Sequence, residues 1–470
     1  MPDLFSMLGS RKGTPMEETK MTEETLRDTV ESLLEKQQFA KIRALLCDMN
    51  YVDIESVLTE FPPDETLRIF RMLPKETAAE VFAEMDSFLQ QYIVESITDA
   101  EVGRIMDELY MDDTVDFLEE MPANVVKRVL KNTDETTRKT INQLLQYPDD
   151  SAGSIMTTEF VDLKKEMTVE MALKHIRKTG VDKETINTCY VLSPQRKLEG
   201  VVSIRTLILA KPETLMEELM DTNVIKINTL DDQETTAYQF RKYDLLSMPV
   251  VDTENRLVGI VTIDDIVDVI EQENTEDFHK MAAMTPSEEP YLKTGVFALA
   301  KNRIIWLLVL MISATLTGFI IRYYEGTLSQ VVALTSYMPM LMGTGGNAGA
   351  QSSTLIIRSL ALNELSFSDL LKVMWKELRV GAVTALLLAI VNFARIMIFD
   401  HVSVLVALTV CLSLFCVVCL AKVVGGMLPI LAEKIHLDPV IMASPIITTI
   451  LDALSLVIYF QFATTILGIA

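Results

Sequence analysis

From Ile304 to Ile321 the chain reads IIWLLVLMISATLTGFII, eighteen residues without a charge. A helix that is apolar on every side belongs in a bilayer, and about 20 residues suffice to cross one once the flanks are added. Comparable runs follow near 331–362, 380–399, 402–430 and 439–469, so the pattern predicts five spans. The second, fourth and fifth are broken by Pro339, Gly343, Gly345 and Gly346, by Gly425, Gly426 and Pro429, and by Pro439 and Pro445. Irregular backbone at membrane depth survives only where protein buries it or where it lines a watery cavity.

The basic residues give the orientation. Lys301, Arg303, Arg358, Lys372, Lys376, Arg379 and Lys434 fall on one side, and Arg322 stands nearly alone on the other. The positive-inside rule then places everything before the first span in the cytoplasm and Ala470 outside. Residues 1–15 contain no apolar signal core, so no cleaved leader is expected.

Charge is partitioned in the same way. The 470 residues carry a net −24, but 301–470 hold 10 basic and 8 acidic side chains, leaving 32 and 58 for 1–300. A cytoplasmic part at −26 is repelled by phosphates, which excludes nucleic acid as a partner. The cysteines, Cys47, Cys189, Cys411, Cys416 and Cys419, form no CxxC pair and read as reduced thiols. His175, His279, His401 and His436 have no zinc-ligand spacing.

Within the spans, Asp452 lies in the middle of the fifth run, PIITTILDALSLVIYF. A carboxylate there is costly unless it meets water, a cation or a partner, and a cation pathway is the favoured reading over a packing role. Gly343-Thr-Gly-Gly-Asn-Ala-Gly-Ala-Gln-Ser-Ser-Thr354 offers hydroxyl, amide and backbone oxygens, although small residues equally serve close helix packing. Arg395 and Lys422 lie towards span ends, from where long side chains snorkel to the interface.

In the soluble part, an apolar residue followed by a helix-start signal recurs at Phe61, Leu73, Met85, Ile97, Tyr110 and Met121, at intervals of 12, 12, 12, 13 and 11. Short capped helices at that period stack into a superhelix. Its outward face is expected to carry Asp112, Asp113, Asp116, Glu119 and Glu120. A second repeat starts near Met156: Met156 and Glu170 match Met220 and Glu234, and Leu198-x-Gly-Val-Val-Ser matches Leu257-x-Gly-Ile-Val-Thr. Each copy reads helix, strands, helix, and the whole resembles a tandem pair of CBS domains, which often bind adenine nucleotides. The second copy keeps the ribose-binding pattern Thr262-x-x-Asp265; the first has Ser203-x-x-Thr206 and lacks the carboxylate. The resemblance therefore implies ATP or a related nucleotide at Thr262 and Asp265.

After the pair, the stretch from Ile263 to Met281 carries acids at 264, 265, 268, 271, 273, 276 and 277. Neighbours one helical turn apart repel, and a solvated face is the ordinary outcome. Two acidic faces can approach each other only with cations between them, and hard carboxylates suit Mg²⁺ or Ca²⁺.

The organisation as a whole resembles the MgtE-type magnesium channel/transporter family. The resemblance rests on Tyr147-Pro-Asp-Asp-Ser-Ala-Gly-Ser-Ile-Met-Thr-Thr-Glu, the acidic helix, Gly343-Thr-Gly-Gly-Asn-Ala-Gly-Ala-Gln-Ser, and Leu437-Asp-Pro with Ile450-Leu-Asp-Ala-Leu-Ser-Leu-Val-Ile-Tyr. It implies a flexible tail (1–20), an all-α superhelical N domain (21–148), tandem α/β CBS domains (149–263), a connecting or plug helix with linker (264–294) and a five-helix membrane domain (295–470). It further implies a homodimer in the inner (plasma) membrane, with Mg²⁺ both transported and regulatory and the pore on the twofold axis. Asp452 would hold the hydrated ion, with Gly346, Asn347, Ser444 and Thr448 lining its path. Regulatory ions would bind among Asp112 and Asp116, Asp232, Glu234 and Asp244, and Asp265, Asp268, Glu273, Glu276 and Asp277. Ser444-Pro445 stands where some members have Asn-Pro, which bears on selectivity among Mg²⁺, Mn²⁺ and Co²⁺.

The readings that compete are a transporter of another divalent cation (Co²⁺ or Mn²⁺), a non-conducting membrane-anchored cation or nucleotide sensor, and a proton-coupled carrier using Asp452. An enzyme is not expected: the chain has no P-loop and no nucleophile with its base.

Overall fold

A computed structural model describes residues 23–287, 291–292, 294–400, 402–442 and 444–468. The tail expected over 1–20 lies outside the described residues. The chain divides into two compact units, Met1–Val269 and Ile270–Ala470.

The first unit opens with ten helices: α1 Glu23–Glu35, α2 Phe39–Cys47, α3 Tyr51–Thr59, α4 Pro63–Phe70, α5 Lys75–Glu84, α6 Ser87–Ser96, α7 Asp99–Met106, α8 Met111–Glu119, α9 Ala123–Asn132 and α10 Glu135–Leu144. From α2 to α10 the helices begin every 12 residues, so the repeat runs further in both directions than the sequence markers suggest. Asn50, Asp86, Thr98 and Asp134 accept backbone N–H groups at helix starts, and Pro63 occupies a first-turn position where no donor is lost. Helices two places apart pack together, α3 on α5, α4 on α6, α5 on α7, and the chain winds into the expected superhelix. Ile54, Ile69, Val81, Phe82, Ile93 and Val129 fill its axis, with Phe82 edge-on to Phe117 at 5.1 Å.

Two three-stranded sheets follow. The first contains β1 Asp162–Leu163, β2 Thr188–Leu192 and β3 Leu198–Ser203, with α11 Val169–Thr179, α12 Ile204–Leu209 and α13 Met216–Leu219 around them. The second contains β4 Ile227–Asn228, β5 Ser247–Val251 and β6 Leu257–Thr262, with α14 Gln233–Tyr243 between β4 and β5. In both sheets the first strand is parallel and the third antiparallel to the middle one, and Tyr190 opposite Val201 repeats as Pro249 opposite Ile260. The copies are interlocked. Thr157, ahead of the first sheet, bridges to Ile260 in the second, and Asp221 bridges back to Val201 in the first. The glycine of each Leu-x-Gly motif makes room for this exchange: a Cβ on Gly200 would meet the Asp221 carbonyl at 2.9 Å, and one on Gly259 the Thr157 carbonyl at 2.6 Å. The two interlocked α/β copies are those the internal repeat predicts, in the tandem arrangement that the resemblance to a CBS pair implies. α15, Ile263–Met281, leaves directly from β6.

The second unit contains the end of α15, then α16 Val296–Tyr323, α17 Glu325–Gln330, α18 Met338–Ala361, α19 Leu370–Arg395, α20 Val404–Lys434 and α21 Ser444–Leu467. Among the described residues four helical segments, containing α16, α19, α20 and α21, are long and apolar enough to cross a membrane, against the five expected. The remaining helix, α18, is 24 residues, about 36 Å at 1.5 Å per residue, which is sufficient in length. Its Gly, Ser, Thr, Asn and Gln residues lower its apolarity, and α20 and α21 bury one side of it. The core of the unit gathers Leu341, Val410, Leu414, Ile447, Leu451, Tyr459 and Phe460. By contrast, α16 has no buried residue in the single chain.

Candidate functional site

Asp452 is half-buried on α21, and among the described residues it has neither an ion-pair nor a hydrogen-bond partner. One turn away, Ser455 Oγ is buried and equally unpartnered. This second polar group was not picked out in the sequence, where a serine in an apolar run has no distinguishing signal. Thr448 spends its hydroxyl on the Pro445 carbonyl at 2.9 Å. Asn347 is exposed on α18, Gly343 is open to space, and the Ser444 side chain lies outside the described residues.

The glycines of α18 divide by role. A Cβ on Gly345 would meet Ser455 Oγ at 2.7 Å, on Gly346 the Thr448 side chain at 3.0 Å, and on Gly349 the Leu451 side chain at 2.1 Å. Gly346 thus lies in the seam between α18 and α21. Gly425 of α20 faces the Gly349 carbonyl at 2.2 Å from its own would-be Cβ, so backbone packs directly on backbone.

Lys422 corrects the snorkelling expectation. Its side chain is 7% exposed, and Nζ reaches the Gln351 Oε1 at 3.2 Å and the Ala348 carbonyl at 3.5 Å. These α18 acceptors satisfy the ammonium inside the unit. On the same side of α18, Ser352 donates to Glu377 Oε2 at 2.6 Å.

The acids expected to bind regulatory ions do not all come together. In the first unit, α8 lies against the second CBS copy: Val115 is buried in one core cluster with Met156, Phe240, Val261, Ile266 and Val269, and the Met111 N–H donates to Glu159 Oε2 at 3.4 Å. Asp112, expected on an outward face, is therefore 6% exposed, because Val115 one turn on must reach the CBS core and turns that side of α8 inward. Around it stand Asp113, Asp116, Glu184, Asp264 and Asp265, close enough to perturb one another. Burial first, and repulsion by Asp265 second, push Asp113 up to about 7. Burial raises Glu184 to about 8, with Asp264 and Asp265 adding to it, and its Oε2 is buried without a hydrogen-bond partner. Burial also lifts Asp265 to about 6, even though Thr262 Oγ1 donates to its Oδ2 at 2.6 Å and favours the ionised form. Asp112 is held well above the ordinary aspartate range by the same causes. Asp116 is raised to about 7 by burial and Asp265, although its side chain still reaches solvent. Asp268 is exposed and contributes to the raised pKa of Glu84, whose largest cause is burial.

Asp113 and Glu184 were not singled out as ligands in the sequence. Asp113 could have been, as a neighbour of Asp112, but nothing local marks Glu184, which arrives by tertiary packing. Asp232, Glu234 and Asp244 sit elsewhere: Asp232 caps the start of α14, accepting from Glu234 N at 2.9 Å, and Asp244 ends the same helix in a left-handed conformation. The eleven-residue helix holds its ends about 16 Å apart, too far for one ion. Thr262 is 4% exposed, its hydroxyl committed to Asp265.

In the second unit Glu276 and Asp277 form a separate group. Lys280 Nζ lies 2.9 Å from Glu276 and 2.8 Å from Asp438, and Asp277 is raised by burial and by Asp438. Glu273 is half-buried on the same helix. Asp438, part of the Leu-Asp-Pro motif, had no role assigned from sequence. Among the described residues no three His, Cys, Asp or Glu side chains already converge as a metal-binding group. The donor chemistry nevertheless fits a hard cation: the groups are carboxylates, crowded and held part-way to protonation, which a divalent ion relieves.

Three family models match the chain: MgtE, divalent cation transporter, over residues 338–462; the MgtE intracellular N domain over 49–150; and CBS domains over 152–213 and 216–272. The chain is 36% identical to the magnesium transporter MgtE of Thermus thermophilus over 449 residues, 95% of this chain and 99% of that one. It is 33% identical to the magnesium transporter MgtE of Bacillus subtilis, over 93% and 98% of the two chains. The crystal structure of the cytosolic domain of the Mg²⁺ channel MgtE in complex with ATP matches 52% of this chain and 99% of its own, at 34% identity and a TM-score of 0.50. The soluble part of a magnesium transporter matches 54% and 99%, at 29% identity and a TM-score of 0.51. These relatives are transporters, not enzymes. With its helical repeat domain, interlocked CBS pair and apolar helical unit each matched in order, this chain belongs to the MgtE family.

Proposed function

We propose that the chain is a Mg²⁺-selective channel or transporter of the plasma membrane, working as a homodimer with its acidic domains in the cytoplasm. The observation that carries this is Asp452, an intramembrane carboxylate with no protein partner among the described residues. A carboxylate at that depth is sustained by water or a cation, and two copies facing each other across a twofold axis would hold a hydrated ion. Mg²⁺ keeps its water readily, so a wide ring of oxygens suits it better than a tight cage. Asn347, Gly346, Ser444 and Thr448 would line or shape that path.

Gating follows from the acid cluster. Ionised, Asp112, Asp113, Asp265 and Glu184 oppose the seating of α8 on the CBS pair, and intracellular Mg²⁺ among them removes the opposition and holds the domains together. Asp116, Asp268, Glu273, Glu276 and Asp277 would add sites along α15, and Asp232, Glu234 and Asp244 separate, weaker ones. Binding would favour the closed pore. An adenine nucleotide at Thr262 and Asp265 of the second CBS copy would bias the same equilibrium, a role supported by the ATP complex of the related cytosolic domain.

The test is uptake by the full-length protein in liposomes, with Mg²⁺, Mn²⁺, Co²⁺ and Ca²⁺ supplied in turn. Wild type should pass Mg²⁺, and Asp452→Asn should lose at least about 90% of that flux while remaining folded. Flux of Co²⁺ or Mn²⁺ in preference to Mg²⁺ would reassign the cargo. No flux of any ion would leave the sensor reading.

A further inference from the structure

A cavity of about 710 Å³ opens between α18, α19 and α20, away from the α18–α21 seam that holds Gly346 and Thr448. Its polar end is a neutral pair of opposite charges. Arg395 Nη2 lies 3.5 Å from Asp400 Oδ2, the Tyr337 hydroxyl donates to the same Oδ2 at 2.8 Å, and Arg395 Nε donates to Asn392 Oδ1 at 3.2 Å. The pair exists because α19 ends in a π turn, Ile396–Asp400, which relates residues five apart and turns the carboxylate back towards the arginine. Such turns concentrate at functional sites.

The network leaves capacity at both charges. A guanidinium has five N–H donors, and among the described residues Arg395 Nη1 has no partner; nor has Asp400 Oδ1. Away from this end the lining is mainly apolar, with the Ser336 and Thr344 hydroxyls among it; Val391 and Leu388, 68% and 42% exposed, continue into the exposed apolar face of α19. Arg395 is the last residue of a 26-residue helix whose first two turns carry Lys372 and Lys376, about 34 and 28 Å away along the axis. It therefore stands at headgroup depth on the side opposite those lysines.

We propose that this cavity binds a zwitterionic phospholipid with a primary ammonium, a phosphoethanolamine headgroup, the phosphate on Arg395 and the ammonium on Asp400, with an acyl chain along Val391 and Leu388. The inference rests on the membrane-spanning reading of α19 but not on which ion is carried. A neutral pair gives no advantage to an anionic lipid, and a quaternary ammonium cannot donate a hydrogen bond to Asp400 Oδ1. The chemistry thus separates phosphatidylethanolamine from both phosphatidylglycerol and phosphatidylcholine.

The experiment uses full-length protein exchanged into an equal mixture of these three lipids with identical chains, with retained lipid counted by native mass spectrometry. Wild type should retain phosphatidylethanolamine at least about fivefold over either competitor. Asp400→Asn should reduce that preference to the level of phosphatidylcholine, and Arg395→Gln should lose both. Equal retention of all three lipids by wild type would overturn the proposal, as would preference for phosphatidylglycerol or an unchanged preference in Asp400→Asn. Displacement by soluble phosphoethanolamine at the lipid's own concentration would also overturn it, since the chain would then contribute nothing. A Val391→Cys variant that cross-links two copies in phosphatidylethanolamine vesicles would show that a second copy, not lipid, covers the cavity.

Discussion

Lys280 Nζ lies 2.8 Å from Asp438 Oδ2, tying the last turn of α15 to the turn that precedes α21. The same ammonium holds Glu276 at 2.9 Å, so one protein cation already stands among the acids of the helix end. Burial opposes the charge, yet Asp438 and Glu276 together raise the Lys280 pKa above the ordinary lysine value. Lys280→Met should leave Glu276, Asp277 and Asp438 to be neutralised from solution. The Mg²⁺ concentration that half-protects α15 from hydrogen exchange should then fall about threefold or more, with less protection in metal-free buffer. Unchanged exchange in both conditions would contradict this.

Glycines of α18 and α20 should respond oppositely to substitution. Gly425→Ala places a methyl group on the Gly349 backbone, which cannot move without separating the helices. It should lower the thermal midpoint of the membrane unit and cost about 2 kcal/mol or more. Gly343→Ala meets nothing within 4 Å and should be neutral or slightly stabilising, because alanine is the better helix former. Melting of the two variants in one detergent compares them directly.

Seating of α8 on the CBS pair should depend on pH when no divalent cation is present. The pKa values of Asp113, Asp265 and Glu184 in the seated state are about 7, 6 and 8, all above their ordinary 3.8, 3.8 and 4.5. A carboxylate raised in this way disfavours seating while ionised. The penalty is therefore full above pH 8, declines as pH falls through 8 to 6, and disappears near the ordinary values. Spin-label distances between the helical domain and the CBS pair should shorten on acidification from pH 8 to 5 in chelator. Saturating Mg²⁺ should flatten the profile, because the ion replaces the proton.

Val115 supplies the apolar half of that contact. Val115→Ala removes two methyl groups from a fully buried position and should weaken seating by about 1–2 kcal/mol. The Mg²⁺ needed to protect the 148–157 link from protease should rise about tenfold, while the superhelix and the CBS pair each melt as before. Protection at the wild-type Mg²⁺ concentration would show that the acids, not Val115, set the contact.

Features that depend on near neighbours are legible along the chain. A 12-residue period of caps and apolar positions specifies the superhelix, because each helix start is satisfied by residues within a turn of it. The two Leu-x-Gly motifs mark the CBS copies because only glycine tolerates the crossing of Thr157 and Asp221. Long apolar runs mark the membrane unit, because a helix apolar on every side has no face for water, although the polar stripe of α18 blurs the count. Asp452 was legible for the same local reason, an acid in an otherwise apolar span. Which acids meet is set by packing between distant segments. Glu184 joins Asp113 and Asp265 because Val115 and Ile266 share a core, a contact between residues 151 positions apart that leaves no trace in local spacing. It likewise set Asp232 and Asp244 at opposite ends of α14, drew Lys422 inward to Gln351, and folded Asp400 back on Arg395. A charge's surroundings are made by packing between distant segments, and periodicity reports only on the segment itself.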